Sequence, residues 1–427
     1  MRPMVSSVLC IRRVGGCSGS KCARPSDKMR PMGIASRNLW AALLVLTGAC
    51  AATPPPPSAL PPQASGDLVK GATCRTTSVV LAFDFDSAPA SACAITGERA
   101  FTLLVTPEHG PPINPSPWYA FRYEADGSAP VNVTLRYQGG RHRYAPKLRS
   151  EEGEWREVPT EPADNGSGAL LRLPGGRGLV AAQEIVTPAD AEASLARWSA
   201  MTGGAVFTLG RSHDGRAIRA IRFGREDAPR LVILLGRQHP PEVTGAIAME
   251  TFVDTLAKRV DDLGDVQVMV APMLNPDGVV RGHWRANRGA VDLNRDWGGF
   301  TQPETQAVKA WLDALPKGVR PVLMVDFHST GRNLFYVQGE TEASPAQTRF
   351  LAAWLGGQEN AVPGYSFTLE PRDANPGSGT AKNWFHAAYA IPAYTYEVAD
   401  AADRTATRAA ARALAERLLP ALPNLSE

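Results

Sequence analysis

His239 and Glu242 stand three residues apart, just after a continuous apolar run at residues 231–235. A third candidate ligand, His328, closes a second apolar stretch in Val325-Asp326-Phe327-His328-Ser329. Two imidazoles and one carboxylate form a ligand set that leaves one position on a zinc ion open to water. Glu397, within Tyr394-Thr395-Tyr396-Glu397, is placed to take a proton from that water as a general base. A lone glutamate on a strand is more often an edge charge in solvent. Here Tyr394, Tyr396 and Val398 make the segment apolar, and burying a carboxylate without a task is costly. The pattern predicts a metallohydrolase with one Zn2+ per chain, held by His239, Glu242 and His328.

The elements that must carry these residues can be read from periodicity. Residues 189–201 are predicted helical, residues 206–212 and 218–223 read as strands, and the run 231–235 suits a strand buried on both faces. Met249, Phe252, Val253 and Leu256 follow i, i+3, i+4, i+7, so a helix begins shortly after Glu242, with Pro240-Pro241 stiffening its entrance. Residues 266–273, 322–325 and 394–398 are further strand candidates. Strands alternating with helices predict an α/β domain over residues 187–427, in which sites gather at the carboxyl ends of strands. Residues 67–186 instead alternate short β-prone runs (78–85, 118–123, 131–137) with turn residues, which predicts a small all-β sandwich.

The N-terminal stretch is set apart by composition. Residues 39–46 form a short apolar run behind Arg37, followed by small residues, which is the layout of a signal peptide and too short to span a bilayer. The expectation is a leader over residues 1–51, an exported protein in the periplasm or outside the cell, and either ordinary signal cleavage or a lipid tether at Cys50. Residues 52–66 are Pro-rich and read as an extended linker. The leader carries eight Lys or Arg against Asp27 alone, so the formal +3 of the whole chain becomes about −4 without it. The basic pI therefore implies no nucleic-acid partner. Of six cysteines, Cys74 and Cys93 remain beyond the leader. They are candidates for a disulfide, with two buried free thiols as the alternative.

Six markers in order then carry a resemblance. His239-x-x-Glu242, Asn275-Pro-Asp-Gly278, Trp284-Arg285, Asp292-Leu-Asn-Arg295, Asp326-Phe-His328 and Glu397 are together similar to the zinc carboxypeptidases, the funnelin fold. The preceding β-rich segment resembles the domain that precedes the catalytic unit in the cytosolic carboxypeptidase subgroup. The resemblance implies a mixed, mostly parallel sheet flanked by helices, and release of residues from the C-termini of peptides or proteins. It assigns Arg285 to the scissile carbonyl and oxyanion, Asn294 and Arg295 to the substrate's terminal carboxylate, and Asp292 to a hydrogen bond on a ligand histidine. Lys382, two residues before Trp384, falls where the family's side-chain pocket sets specificity, so a C-terminal Glu or Asp is expected. One departure stands out: the position of the family's mobile tyrosine, three residues before Ser378-Gly379, is Asn375. Two rival readings remain, an N-acyl amino acid amidohydrolase and an inactive zinc-containing binding module.

Overall fold

The computed structural model describes residues 68–425 apart from 71–72, 90, 151–152 and 373–377. The expected leader with Cys50, and the Pro-rich linker, lie outside the described residues. All described residues fall in one compact unit, Pro62–Glu427. No helix among them is long and apolar enough to cross a membrane.

The β-rich segment forms two six-stranded sheets. One runs, in spatial order, Leu68–Lys70, Ala92–Gly97, Ala100–Val105, Val131–Tyr137, Gly168–Leu173 and Thr160–Ala163; the other runs Thr73–Arg75, Val79–Ala82, Ala120–Ala125, Gly176–Ala181, Lys147–Arg149 and Arg156–Glu157. Side chains alternate faces along a strand, so Val131, Val133 and Leu135 point inward together and meet Phe101, Leu103 and Leu171 from their own sheet. Leu81, Phe121, Tyr123 and Val180 of the second sheet complete the core. Each such burial contributes roughly 1.5–3 kcal/mol. Cys74 and Cys93 are bonded, Cα to Cα 6.4 Å, and the bridge ties one sheet to the other. The predicted strand at 78–85 is shorter than expected, Val79–Ala82, because the chain then turns through Ser87 at positive φ.

The α/β region is built on an eight-stranded mixed sheet. Its order is Ala205–Arg211, Ala217–Gly224, Val266–Ala271, Arg230–Gly236, Arg320–Thr330, Ala393–Ala399, Leu334–Gln338 and Thr368–Arg372. The four strands from Val266–Ala271 to Ala393–Ala399 are parallel neighbours. Helices cover both faces, which is why the central strands read as unbroken apolar runs. Val232, Leu234, Val325, Phe327, Tyr394 and Tyr396 pack under helices Pro188–Thr202, Val243–Ala257, Pro345–Leu355 and Arg404–Ala421. Leu231, Ile233, Leu235, Met324 and Ala393 pack on the opposite face under Pro303–Asp313 and Ala381–Tyr389.

The same alternation decides where the polar residues go. Met324 and Ala393 lie on the second face, so Asp326 and His328, and Thr395 and Glu397, follow on that face toward the carboxyl ends. Register places His328 directly beside Glu397 and Asp326 beside Thr395. Two adjacent strands thus pass from apolar core to polar site on one side of the sheet, while their other sides stay in the core.

Candidate metal and active site

The Arg230–Gly236 strand ends in a turn that starts with Arg237 in the left-handed region, φ 53°. Backbone bonds from Leu274 to Gly236 and from Asn275 to Arg237 fix that turn, and the Asn275 amide donates to the Gln238 carbonyl at 3.1 Å. His239 is thereby presented at the strand end, and Glu242 occupies the position just before helix Val243–Ala257. A carboxylate there is favoured by the positive end of the helix dipole. The helix must come close to the third ligand: a Cβ on Gly245 would lie 2.4 Å from the His328 carbonyl oxygen, so only glycine allows the approach. The Ser329 hydroxyl, accepting from Gly245 N at 2.9 Å and from the Thr244 hydroxyl at 2.8 Å, locks helix to strand.

The three predicted ligands converge, with their ligand atoms all within 4.8 Å of one another. His239 Nδ1 lies 2.8 Å from Glu242 Oε1, His328 Nδ1 lies 2.7 Å from Glu242 Oε2, and the two Nδ1 atoms are 3.3 Å apart. The far nitrogens face carboxylates: His239 Nε2 is 2.9 Å from Asp292 Oδ1, and His328 Nε2 is 2.6 Å from Asp326 Oδ2. An N–H on each Nε2, donated to its aspartate, leaves both Nδ1 lone pairs turned inward on the Glu242 carboxylate. Such an array of facing acceptors suits a divalent cation, and two nitrogens with one carboxylate are the donors zinc takes.

The electrostatics agree with that donor set. Burial opposes ionisation of Glu242, but the two imidazoles facing it hold its carboxyl well below the ordinary range. Burial equally opposes charge on the histidines, and the carboxylates of Glu242, Asp292 and Asp326 more than offset it, raising both. The cage therefore favours positive charge at its centre. Glu397 behaves differently: burial, with Glu242 adding to it against the opposing effect of His328, pushes its carboxyl up to about 7. Its Oε2 is buried without a hydrogen-bond partner among the described residues.

These groups open into a cleft of about 600 Å³ lined by His239, Glu242, His328, Arg285, Asn294, Arg295, Lys382 and Glu397. Arg285 Nε donates to Asp292 Oδ2 at 2.7 Å, so Asp292 serves a ligand histidine with one oxygen and the arginine with the other. Asn294 Oδ1 accepts from Ala381 N at 2.9 Å, which leaves its amide nitrogen beside the His328 ring, Nδ2 lying 3.4 Å from Nε2. Arg295 donates to the Asn294 carbonyl at 2.7 Å and keeps the rest of its guanidinium in the cleft wall. Lys382 is buried, with Nζ donating to the Arg372 carbonyl at 2.9 Å. Asn375 lies outside the described residues. Arg288 is a half-exposed surface charge 3.6 Å from Asp214.

The sequence reading assigns no role to several residues that belong here. Asp326 orients His328, and the signal was present, since Asp326-x-His328 on a strand puts both side chains on one face. Gln238 donates to the same Asp326 oxygen at 2.6 Å and accepts from Trp297 Nε1 at 2.9 Å. Arg143 and Tyr144 enter the cleft from the sandwich, Arg143 holding Asp400 at 2.7 Å. Arg372 and Tyr336 line the far wall.

Comparison with known proteins follows the same lines. The profile described as zinc carboxypeptidase matches residues 204–415. An uncharacterized protein of Zymomonas mobilis is 27% identical over 188 residues, 42% of this chain and 48% of the relative. Cytosolic carboxypeptidase 2 of Danio rerio is 28% identical over 175 residues, 37% of this chain and 24% of the relative. The chain thus spans less than half the length of these curated relatives. A metallo-carboxypeptidase from Burkholderia cenocepacia superposes with a TM-score of 0.66 over 81% of this chain and 99% of that one at 21% identity, a likeness of fold that includes the strand-rich region. With its ligand triad, cleft and sheet in the places described, the segment 204–415 belongs to the zinc carboxypeptidase family.

Proposed function

We propose that the protein is an exported zinc metallocarboxypeptidase that releases single residues, preferably Glu or Asp, from peptide C-termini. The observation that carries this reading is the single cleft that collects His239, Glu242, His328, Glu397, Arg285 and Arg295. His239, Glu242 and His328 would hold zinc, which when bound supplies Lewis acidity to water and to the scissile carbonyl. Asp292 and Asp326 keep the imidazoles in the tautomer that presents Nδ1. Glu397 accepts the proton of the attacking water and returns it to the leaving amine, a task suited to a carboxyl raised toward neutrality. Arg285 stabilises the negative charge that develops on the carbonyl oxygen, worth roughly 3 kcal/mol for one donor. Arg295 binds the terminal carboxylate, which restricts cleavage to chain ends.

The acidic preference is supported by charge. Among the described residues lining the cleft, the cations Arg143, Arg285, Arg295, Arg372 and Lys382 outnumber the acids Glu242 and Glu397, with Arg143, Arg285 and Arg372 also paired to Asp400, Asp292 and Glu370, and a divalent metal would add to the positive side. The burial of the Lys382 ammonium in the wall supports its pocket role against that of a solvated lysine. The test is a set of matched peptides ending in Glu, Phe, Lys or an amidated residue, with products read by mass spectrometry before and after chelation and zinc addition. Stepwise loss from the Glu peptide alone, abolished by chelation and restored by zinc, is expected. Equal cleavage of the amidated peptide would sink the exopeptidase reading, and preference for Phe or Lys would sink the acidic pocket. Release of acetate from N-acetyl-aspartate with peptides left intact would favour an amidohydrolase.

A further inference from the structure

Beside the loop that carries Arg143 and Tyr144, a second loop of the sandwich meets the cleft-lining segment of the α/β region. Glu108 lies between strands Ala100–Val105 and Ala120–Ala125 of the sandwich, and its carboxylate accepts the backbone N–H groups of three consecutive residues of the α/β region. Arg285 N and Ala286 N donate to Oε1 at 2.9 and 2.7 Å, and Trp284 N donates to Oε2. We infer that Glu108 is a positioning residue for Arg285, so that the sandwich supplies a working part of the active site rather than a separate module.

The segment needs such a partner. Residues 284–286 form neither helix nor strand, and while His283 N and Asn287 N bond to the Gly278 and Val291 carbonyls on either side, the three N–H groups between them have no backbone acceptor among the described residues. A carboxylate offers acceptors only, and bonds from neutral N–H to an ionised oxygen are about twice as strong as neutral ones. The grip is reinforced on either side. His109 Nε2 lies 3.3 Å from the Asn287 carbonyl, the Tyr144 hydroxyl accepts from Trp284 Nε1 at 2.9 Å, and Ser87 N donates to the Val280 carbonyl at 2.9 Å. From the α/β side, Asn275 Nδ2 donates to the Ala286 carbonyl at 3.2 Å. With its backbone held from both sides, the Arg285 side chain runs to Asp292 and the cleft. A displacement of about 1 Å in such a group is enough to cost about 10²-fold in rate.

The inference rests on the proposed reaction only for what Arg285 does there. Two readings of Glu108→Gln test it, because the amide keeps the shape but turns an NH2 toward Trp284 N or toward Arg285 N and Ala286 N, whichever way it is oriented. Hydrogen exchange followed by mass spectrometry should show protection at residues 284–286 falling by about tenfold or more, while the sandwich strands keep theirs. On a peptide substrate kcat should fall by about tenfold or more with KM within about threefold and zinc content unchanged. On an Arg285→Ala background the same change should cost less than about twofold. Unaltered protection at 284–286, or the same loss of kcat on both backgrounds, overturns the proposal. Should Glu108→Gln fail to fold, Glu108→Asp, which retracts the carboxylate by one methylene, gives the same two readings. If the wild type cuts no peptide, the reaction itself is misread, and the exchange measurement still decides whether Glu108 holds this segment.

Discussion

The sandwich and the α/β region bury different things. The sandwich interior is almost wholly apolar, Phe101, Leu103, Tyr119, Phe121, Val133 and Leu171 among others, closed by the Cys74–Cys93 bridge between its sheets. The α/β region has an apolar core on both faces of its sheet, yet it also buries Gln238, His239, Asn275, Asp277, Asp296, Glu304, Asp326 and His328. Most of these have partners on neighbouring turns: Asp296 takes four bonds from Thr301, Gln302 and Thr305, and Asp277 takes Ser212, Asp214 and Arg216. Apolar alternation alone holds a sheet pair together. A site needs polar groups removed from water, and each must then be satisfied or cost about 1–3 kcal/mol. The difference teaches that the second region spends its burial on orientation, and the first on cohesion.

If that contrast is right, changes at the polar strand ends should cost activity far more than stability. Glu397→Gln should lower kcat by at least about 10²-fold while zinc content and melting temperature hold, since the amide accepts no proton from water. Steady-state kinetics beside metal analysis checks this, and near-normal kcat would place the base elsewhere. Asp326→Asn should weaken metal binding by about 10- to 100-fold, because His328 loses the carboxylate that fixes its tautomer. Competition with a zinc chelator reads it out, and unchanged affinity would reduce Asp326 to a packing residue.

Changes in the apolar interior of the sandwich should do the opposite. Replacing Cys74 and Cys93 together by serine removes a bridge closing about 20 residues, expected to cost about 3 kcal/mol on a chain-entropy account. Zinc content should stay at one per chain, and a denaturant titration compared with metal analysis separates the two effects. The smallest expected effect lies at Glu98, fully exposed, whose carboxylate accepts from Thr77 Oγ1 at 2.5 Å and Ser78 N at 2.7 Å. These bonds to Thr77 and Ser78 lower its pKa to about 2. A folded pKa below the unfolded value means stability present above about pH 4.5 and lost as pH falls toward about 2. The stability gap between wild type and Glu98→Gln should narrow over that window, and a gap independent of pH would exclude the ionised contact.

Local chemistry was legible in the sequence and distant contact was not. His239 and Glu242 stand out because they follow an apolar strand and open a helix, and His328 and Glu397 because each lies near the end of an apolar strand, and the structure gathers all four in one cleft. The strand at Val131–Tyr137 and the helix at Pro188–Thr202 follow from the same patterns, the helix with a capping box at Thr187 and Asp190 and a left-handed Gly203 at its end. Helix Arg404–Ala421 has no clear signature in the sequence: its buried stripe consists largely of alanines, which make a weak apolar signal. Glu108 and Arg143 likewise carry no signal in the sequence. Their partners Arg285 and Asp400 lie 177 and 257 residues away, and no periodicity links such positions.

Asp292 joins His239 with one carboxylate oxygen and Arg285 with the other, so the spacing between the ligand cluster and the Arg285 guanidinium is set by the width of a single functional group. Neither can drift alone: lengthening the side chain, as in Asp292→Glu, would shift both in the same direction. Under the proposed reaction, selection or design aimed at a bulkier scissile group would have to move a rigid two-point gauge as a whole, which would leave variation in substrate range to the wall formed by Arg372, Lys382 and Tyr336.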